Sequence, residues 1–396
     1  MSTPRSALIC GAGIAGLALA ARLRHHGWEV LVVDAAPGPR EQGYMIDFFG
    51  PGFEALTDMG LEPELRRLGH RTSEFRYVDE RGRTRAAVDY ARFERAARGG
   101  LVSIMRPDLE RLLREHVTRR RGPVELRYGT TVDAVADGEV TLSDGTRHRP
   151  DVLVGADGIH SRVRSLVLGP ERDFLRRLGM HTGAFVFEDA ELFRRMRGRF
   201  TLTDTTHRQM GFYGLDGDRV AVFTVHRSGD TALPADPREA LRREYRDAGG
   251  PTRRALELCP PGERVYYDEV AQIVAPRWSA GNTVLVGDAA HAVSLIAGQG
   301  ASLGVAGAYL LAGRLAAADS VRAALAEYER RWRPVVGAVQ EHARDRVGEW
   351  FLPRSRTKLV LRRWGFRAMN VPGADRLLGN ALLPKSSTPV TELSAL

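Results

Sequence analysis

The sequence predicts an α/β protein, in which a parallel sheet is interrupted by a mostly β lobe and followed by C-terminal helices. Three observations predict this. A glycine-rich turn, Gly11-Ala12-Gly13-Ile14-Ala15-Gly16, joins an apolar run at 7–10 to an Ala/Leu-rich helix that ends near Gly27. Two further apolar runs, 151–154 and 283–286, each lead into a turn that pairs Gly with Asp. Between them, residues 180–228 carry several strand-like runs separated by turn residues such as Asp216-Gly217-Asp218.

Taken in order, 7–10, the helix and 29–33 form a strand–helix–strand unit closed by Asp34. A Gly/Pro-rich stretch at 37–52 reads as loop, and 53–59 as helix. Runs at 74–78 and 84–88 flank Glu80-Arg81-Gly82-Arg83 as a hairpin. Arg106-Pro107 starts a helix, because proline in the first turn loses no needed hydrogen bond. Strands follow at 124–128, 139–142 and 151–154, then 184–187, 200–203, 209–213 and 219–226. A charged helical stretch spans 237–258, small-residue helix follows Asp288, and 321–350 is helical. The last ten residues read as a frayed tail.

A chain of 396 residues is too long for one ordinary core and suits interleaved domains. Hydrophobic residues at 43% and charged residues at 27% exclude dominant disorder. The net charge of +9 comes almost wholly from arginine, since Lys358 and Lys385 are the two lysines. The densest cluster, Arg119-Arg120-Arg121, suits a solvated helix end, and with no nucleic-acid motif beside it no nucleic-acid partner is expected. Two cysteines, Cys10 and Cys259, make no disulfide framework or metal spacing, and Cys10 reads as a core thiol. No signal segment is evident, and the apolar run 306–311 is soon interrupted by Arg314, so no membrane span and a cytoplasmic setting are expected.

The glycine turn has a physical logic. Gly11 permits the tight turn, Gly13 lets a pyrophosphate approach the backbone, and Gly16 lets helix and strand pack closely. Unpaired N–H groups at the helix start, with the helix dipole, favour the anion. Asp34, ending the second strand, stands where an acid binds an adenosine ribose. The segment Asp157-Gly158-Ile159-His160-Ser161-Arg162-Val163-Arg164 and the segment Gly287-Asp288, continued by Gly298-Gln299-Gly300, complete a set of three strand-end turns.

On these motifs residues 6–340 resemble the class A flavoprotein monooxygenases, the para-hydroxybenzoate hydroxylase family that includes tetracycline-inactivating and polyketide-tailoring hydroxylases. The resemblance implies a Rossmann-like FAD-binding domain of the GR2 type with an inserted, mostly β substrate domain. The domain limits it implies are FAD-binding parts at 1–73, 98–175 and 271–340, substrate-domain parts at 74–97 and 176–270, and a helical region with tail at 341–396. Gly11, Gly13, Ile14, Ala15 and Gly16 would hold the FAD pyrophosphate, Asp34 the ribose, and Asp288 the ribityl chain. Arg40 and Arg106 match arginines that lie against FAD, although Arg40 suits a surface position equally. Val132 falls where backbone meets adenine, Asp157 matches a motif tied to FAD and NAD(P)H, and Gly298, Gln299, Gly300 and Ala301 would lie at the flavin pyrimidine edge.

The same resemblance implies NADPH or NADH as transient reductant, dioxygen as co-substrate, and a flavin C4a-hydroperoxide that hydroxylates a small aromatic or polyketide-like molecule. Either a monomer or a homodimer fits. Ser294-Leu295-Ile296 replaces a stretch where proline is usual, Ser302 stands where Asn is common, and Gly307 where Asp is common. Asp47, Phe49, Phe200, His207, Gln209, Phe212, Tyr213 and His226 are candidates to line the substrate pocket. Core packing suits each aromatic as well, and His207 and His226 suit surface or satisfied positions better than catalytic ones. No protein nucleophile or metal set is evident, which suits chemistry carried by the cofactor. Two other readings keep the fold: a flavin-dependent dehydrogenase or reductase of an isoprenoid-like molecule, and a non-catalytic ligand-binding protein. The basic stretch 350–383 reads as packing across the two lobes in preference to an interfacial amphipathic helix.

Overall fold

A computed structural model describes residues 5–40, 42–97, 100–119, 124–344, 351–370, 390 and 392, with backbone alone at 96 and 296. The first sheet has six strands in the order Ser279–Ala280, Thr283–Leu285, Val152–Gly155, Ser6–Cys10, Glu29–Asp34, Val124–Tyr128. All neighbours run parallel except the two-residue edge Ser279–Ala280. Such a sheet is covered on both faces, which is why its strands read as unbroken apolar runs and why Leu8, Ile9, Val32, Val154 and Val284 are fully buried.

Helix Ile14–His25 packs on this sheet, and Gly300–Ala317 packs on that helix. Small residues allow the approach: a Cβ on Gly304 would lie 3.4 Å from the Ala15 Cβ. The second helix continues through Arg314, the charge that ends the apolar run 306–311, and is long and apolar enough to cross a membrane by length and composition alone. It is 72% buried inside the fold, which identifies it as core.

The second sheet has seven strands in the order Tyr266–Ile273, Leu175–Glu188, Arg219–Arg227, Arg208–Gly214, Arg199–Thr203, Glu74–Val78, Thr84–Asp89. The hairpin from early in the chain joins through parallel pairing of Glu74–Val78 with Arg199–Thr203. One face packs Phe185, Met210, Phe212 and Val222 under helices Ala190–Met196, Pro237–Glu244 and Gly250–Glu257. The opposite face presents Ala184, Phe200, Tyr213 and Phe223, with Met45 and Met105 from the short ribbon Met45–Phe49/Leu101–Met105.

Several elements depart from the sequence reading. The stretch read as loop at 37–52 contains the strand Met45–Phe49, and the run at 184–187 lies near the C-terminal end of a 14-residue strand with a bulge between Arg177 and His181. The stretch 237–258 divides into two helices around Gly249-Gly250. Asp288–His291 is a single turn, and the long helix waits for Gly300. Of the basic run at 119–121, Arg119 pairs with Glu115 at 2.9 Å, while 120 and 121 lie outside the described residues. The expected helix to 350 is seen as Val321–His342, and 345–350 lie outside the described residues. Of the last ten residues, Val390 is fully buried and its N–H donates to Glu54 Oε2 at 3.1 Å, while all but 390 and 392 lie outside the described residues.

Candidate active site

The three strand-end turns meet along one cleft. Its narrow end, about 130 Å³, is walled by Gly11, Gly13, Asp34, Arg40, Arg106, Thr131 and Asp157. Its wide end, about 370 Å³, begins at the same Gly13, Arg106, Ala156 and Gly158 and extends past Ile14, Ala15, Asp288, Gly298, Gly300 and Ala301 to the face of the second sheet.

The narrow end shows why its glycines are required. Gly11 has φ of +116°, and a Cβ there would lie 2.3 Å from the Ala156 carbonyl oxygen. A Cβ on Gly16 would lie 2.0 Å from the Gly11 oxygen, so Gly16 serves close packing and does not line the cleft. At Gly13, by contrast, a Cβ would meet nothing nearer than Arg106 Nη2 at 3.9 Å, which leaves bare backbone facing open space. Gly13 caps helix Ile14–His25 without any side-chain cap, and Gln299 does the same for Gly300–Ala317. Two helix N-termini therefore bring unpaired N–H groups to the cleft, an arrangement suited to anionic or electron-rich groups.

Asp34 accepts the Ala12 N–H on one oxygen and the Ala36 N–H on the other, both at 2.8 Å, leaving lone pairs for two hydroxyls. Asp157 spends its carboxylate within the chain, taking the Ser161 hydroxyl at 2.5 Å and the Val163 N–H at 3.0 Å. Its pKa is raised, chiefly by burial. Arg106 pairs with Glu110 at 3.0 Å and borders both ends of the cleft. Asp288 opens onto the cavity, and burial raises its pKa against the opposing pull of Arg106. Arg40 is exposed at the mouth. Val132 is fully buried and gives its carbonyl to Arg162 Nε at 2.7 Å, while its neighbour Thr131 reaches the cleft. Gln299 is buried at the helix start outside the cavity lining.

Among the pocket candidates, Asp47, Phe49, Phe200 and Tyr213 line the wide end. Tyr90 Oη and Ser103 Oγ both donate to Asp47 Oδ1, at 2.5 and 2.6 Å, and Oδ2 takes no protein donor among the described residues. Burial raises the Asp47 pKa, with these two bonds opposing it. Phe200 stacks on Tyr213 at 4.3 Å. Burial drives the Tyr213 pKa well above its ordinary value.

His207, Gln209, Phe212 and His226 are not in the lining. Phe212 and Tyr213 are consecutive on one strand, so they face opposite sides of the sheet, and Phe212 belongs to the helix-covered core. His226 lies on that same side, against Tyr245 and bonded to the Tyr267 hydroxyl at 3.1 Å, and burial lowers its pKa to about 4. His207 is an exposed turn residue with φ of +63°. Gln209 is sealed in the sheet, donating to the Thr203 carbonyl at 3.1 Å.

The cavity also has walls that sequence reasoning missed: Tyr44, Thr182, Phe223, Tyr266, Asp268 and Phe351. Gly211 was the available signal for Phe223. A glycine inside a strand marks close approach, and a Cβ there would lie 2.2 Å from the Phe223 ring. Ser294 adopts φ of +77°, a conformation costly for a side-chain-bearing residue, and its buried hydroxyl lacks a partner where it lines the cavity.

Comparison with known proteins agrees with this geometry. Residues 5–343 match the family described as FAD binding domain. An uncharacterised protein of Mycobacterium tuberculosis is 31% identical over 374 residues, covering 87% of this chain and 94% of that protein. The FAD-dependent monooxygenase asL6 of Sarocladium schorii is 31% identical over 378 residues, covering 84% of this chain and 85% of its own. The crystal structure of tetracycline destructase Tet(51) superposes with a TM-score of 0.79 at 25% identity, covering 97% of this chain and 100% of that one.

Proposed function

The chain belongs to the FAD binding domain family and is a class A FAD-dependent monooxygenase, and from that premise we propose that it hydroxylates a small, largely apolar molecule, aromatic or polyketide-like, consuming NADPH or NADH and dioxygen. The observation that carries this reading is the aromatic cavity formed by Phe49, Phe200, Tyr213, Phe223 and Phe351, which opens beside the Gly298–Ala301 turn and holds the carboxyl group of Asp47. The likeness to a tetracycline destructase supports a polycyclic substrate.

FAD, when bound and reduced, supplies the activated oxygen. The protein's part is to hold and surround it. The bare Gly13 backbone, the first turn of Ile14–His25 and Arg106 suit the pyrophosphate, and the free lone pairs of Asp34 suit ribose hydroxyls. Asp288, which lines the wide end, would hold the ribityl chain. The N–H groups at Gly298–Ala301 would stabilise negative charge at the flavin's pyrimidine edge. On the substrate side, aromatic walls exclude water and orient a flat molecule by stacking. Asp47 holds its proton to higher pH than an ordinary carboxyl, so Oδ2 donates to or accepts from a substrate hydroxyl while Tyr90 and Ser103 fix Oδ1.

Rapid mixing tests the reading. The FAD-loaded protein is reduced anaerobically with NADPH or NADH, then mixed with oxygenated buffer containing polycyclic phenols and quinones. An oxygen-dependent absorbance transient whose decay coincides with hydroxylated product supports it. Direct reoxidation without any oxygenated product favours the dehydrogenase reading.

A further inference from the structure

The helix Arg356–Ala368 has two unlike faces. Its inner face buries Leu359, Arg362, Phe366 and Met369 against the second sheet. Arg362 Nη2 pairs with Asp204 at 2.9 Å, Arg363 takes the other oxygen of the same buried carboxylate, and the Arg362 guanidinium lies 4.1 Å from the Tyr77 ring centre. Phe366 stacks on Phe75 at 5.2 Å. This helix contacts the hairpin strand Thr84–Asp89, with Arg367 donating to the Arg85 carbonyl, and residues 371–383 of the basic stretch lie outside the described residues.

The outer face is apolar and basic. Val360, Leu361 and Trp364 are 45%, 65% and 62% exposed, three of the six large hydrophobics exposed among the described residues. Spacings of three and four residues place them on one side of the helix. Arg354, Arg356, Lys358 and Arg367 are exposed around them, and 351–370 contains no Asp or Glu. Among the described residues, Trp364 is the one aromatic among the exposed large hydrophobics, and presenting it gains nothing in water.

We propose that this face docks on an anionic lipid surface, with Leu361 and Trp364 entering the headgroup boundary and the basic rim meeting lipid phosphates. Tryptophan and long cationic side chains suit a boundary that is apolar on one side and charged on the other. Each basic residue near such a surface adds attraction that salt weakens. A second copy of the chain is a poorer occupant, because self-docking would set basic rim against basic rim. Three side chains also expose far less than the roughly 800 Å² per partner that a stable protein interface buries. The placement has a consequence for the cavity. Phe351, just before the helix, lines it, and Phe366 reaches it through Phe75 and Phe200.

The test is flotation of the FAD-loaded protein with vesicles of phosphatidylcholine alone and with vesicles containing about one-third phosphatidylglycerol. The expected result is about tenfold more protein on the anionic vesicles, reversed by salt. Leu361→Ser/Trp364→Ser, whose flavin content and absorbance spectrum report an intact fold, loses that binding. Arg356→Gln/Lys358→Gln weakens it without abolishing it. Equal recovery on both vesicles, or unchanged binding by the Leu361/Trp364 variant, overturns the proposal. So does wild-type self-association in sedimentation that this variant abolishes, because the face would then be a protein contact. None of these readouts depends on hydroxylation, so they stand apart from the proposed activity.

Discussion

The Tyr90 hydroxyl donates to Asp47 Oδ1 at 2.5 Å, joining the end of the early hairpin to the short ribbon that walls the cavity. This bond and that from Ser103 fix a carboxyl group in the cavity that Phe49, Phe200 and Tyr213 also line. Asp47→Asn keeps both bonds through its amide oxygen but can no longer exchange a proton. The expected outcome is a loss in kcat/KM on the order of tenfold to a hundredfold with FAD content unchanged. The folded-state pKa of Asp47 is raised, so its effect on stability is neutral below the ordinary carboxyl value and becomes a penalty as pH rises through that range. Asp47→Asn therefore has a Tm above wild type at neutral pH and equal to it in acid. Thermal unfolding across pH checks this, and a lower Tm at neutral pH would oppose the assignment.

Asp288 is the acid of the third turn and faces the wide end of the cleft beside Arg106. Asp288→Ala is expected to weaken FAD retention by at least about tenfold, read as flavin content after gel filtration. Near-normal content would remove the proposed ribityl contact.

Gly307 faces Trp332 across the packed helices Gly300–Ala317 and Val321–His342. A Cβ on the glycine would lie 2.7 Å from Trp332 Nε1 and 3.4 Å from the Tyr328 hydroxyl. The departure from Asp noted in the sequence thus accompanies a crowded contact in the core. Gly307→Ala should destabilise by about 1–3 kcal/mol through overpacking, measured by denaturant unfolding. An unchanged midpoint would show that the helices separate without cost.

His160 lies between two carboxylates, 3.1 Å from Glu171 and 3.3 Å from Asp268. Asp268 chiefly raises its pKa, to about 9. A raised histidine contributes stability that is complete below its unfolded value near 6.5 and lost as pH rises through about 9. The Tm of wild type should fall over that window relative to His160→Gln, which has no such loss. Parallel pH profiles would contradict the ion pairs.

The nucleotide-binding half was legible because local signals suffice for it. Buried parallel strands make apolar runs, and each strand-end turn needs glycine for a steric reason visible at Gly11 and Gly16. The strand Met45–Phe49 was hidden because its partner, Leu101–Met105, is remote in sequence and its flanking Gly and Pro imitate a loop. The long strand Leu175–Glu188 was shortened by the bulge after Arg177. For the pocket, residue type was a weaker guide than strand phase. Phe212 and Tyr213 were both plausible as aromatics, but alternation admits one of them to the cavity. Tyr266, Asp268 and Phe351 come from segments whose convergence only the packed sheet defines.

The most direct test of the central claim is turnover under isotopically labelled dioxygen with NADPH or NADH and the polycyclic phenol panel, followed by mass spectrometry of the products. The account predicts a product carrying one labelled oxygen atom, formed in step with nicotinamide oxidation. An unlabelled oxidised product, with the consumed dioxygen recovered as hydrogen peroxide, would contradict it.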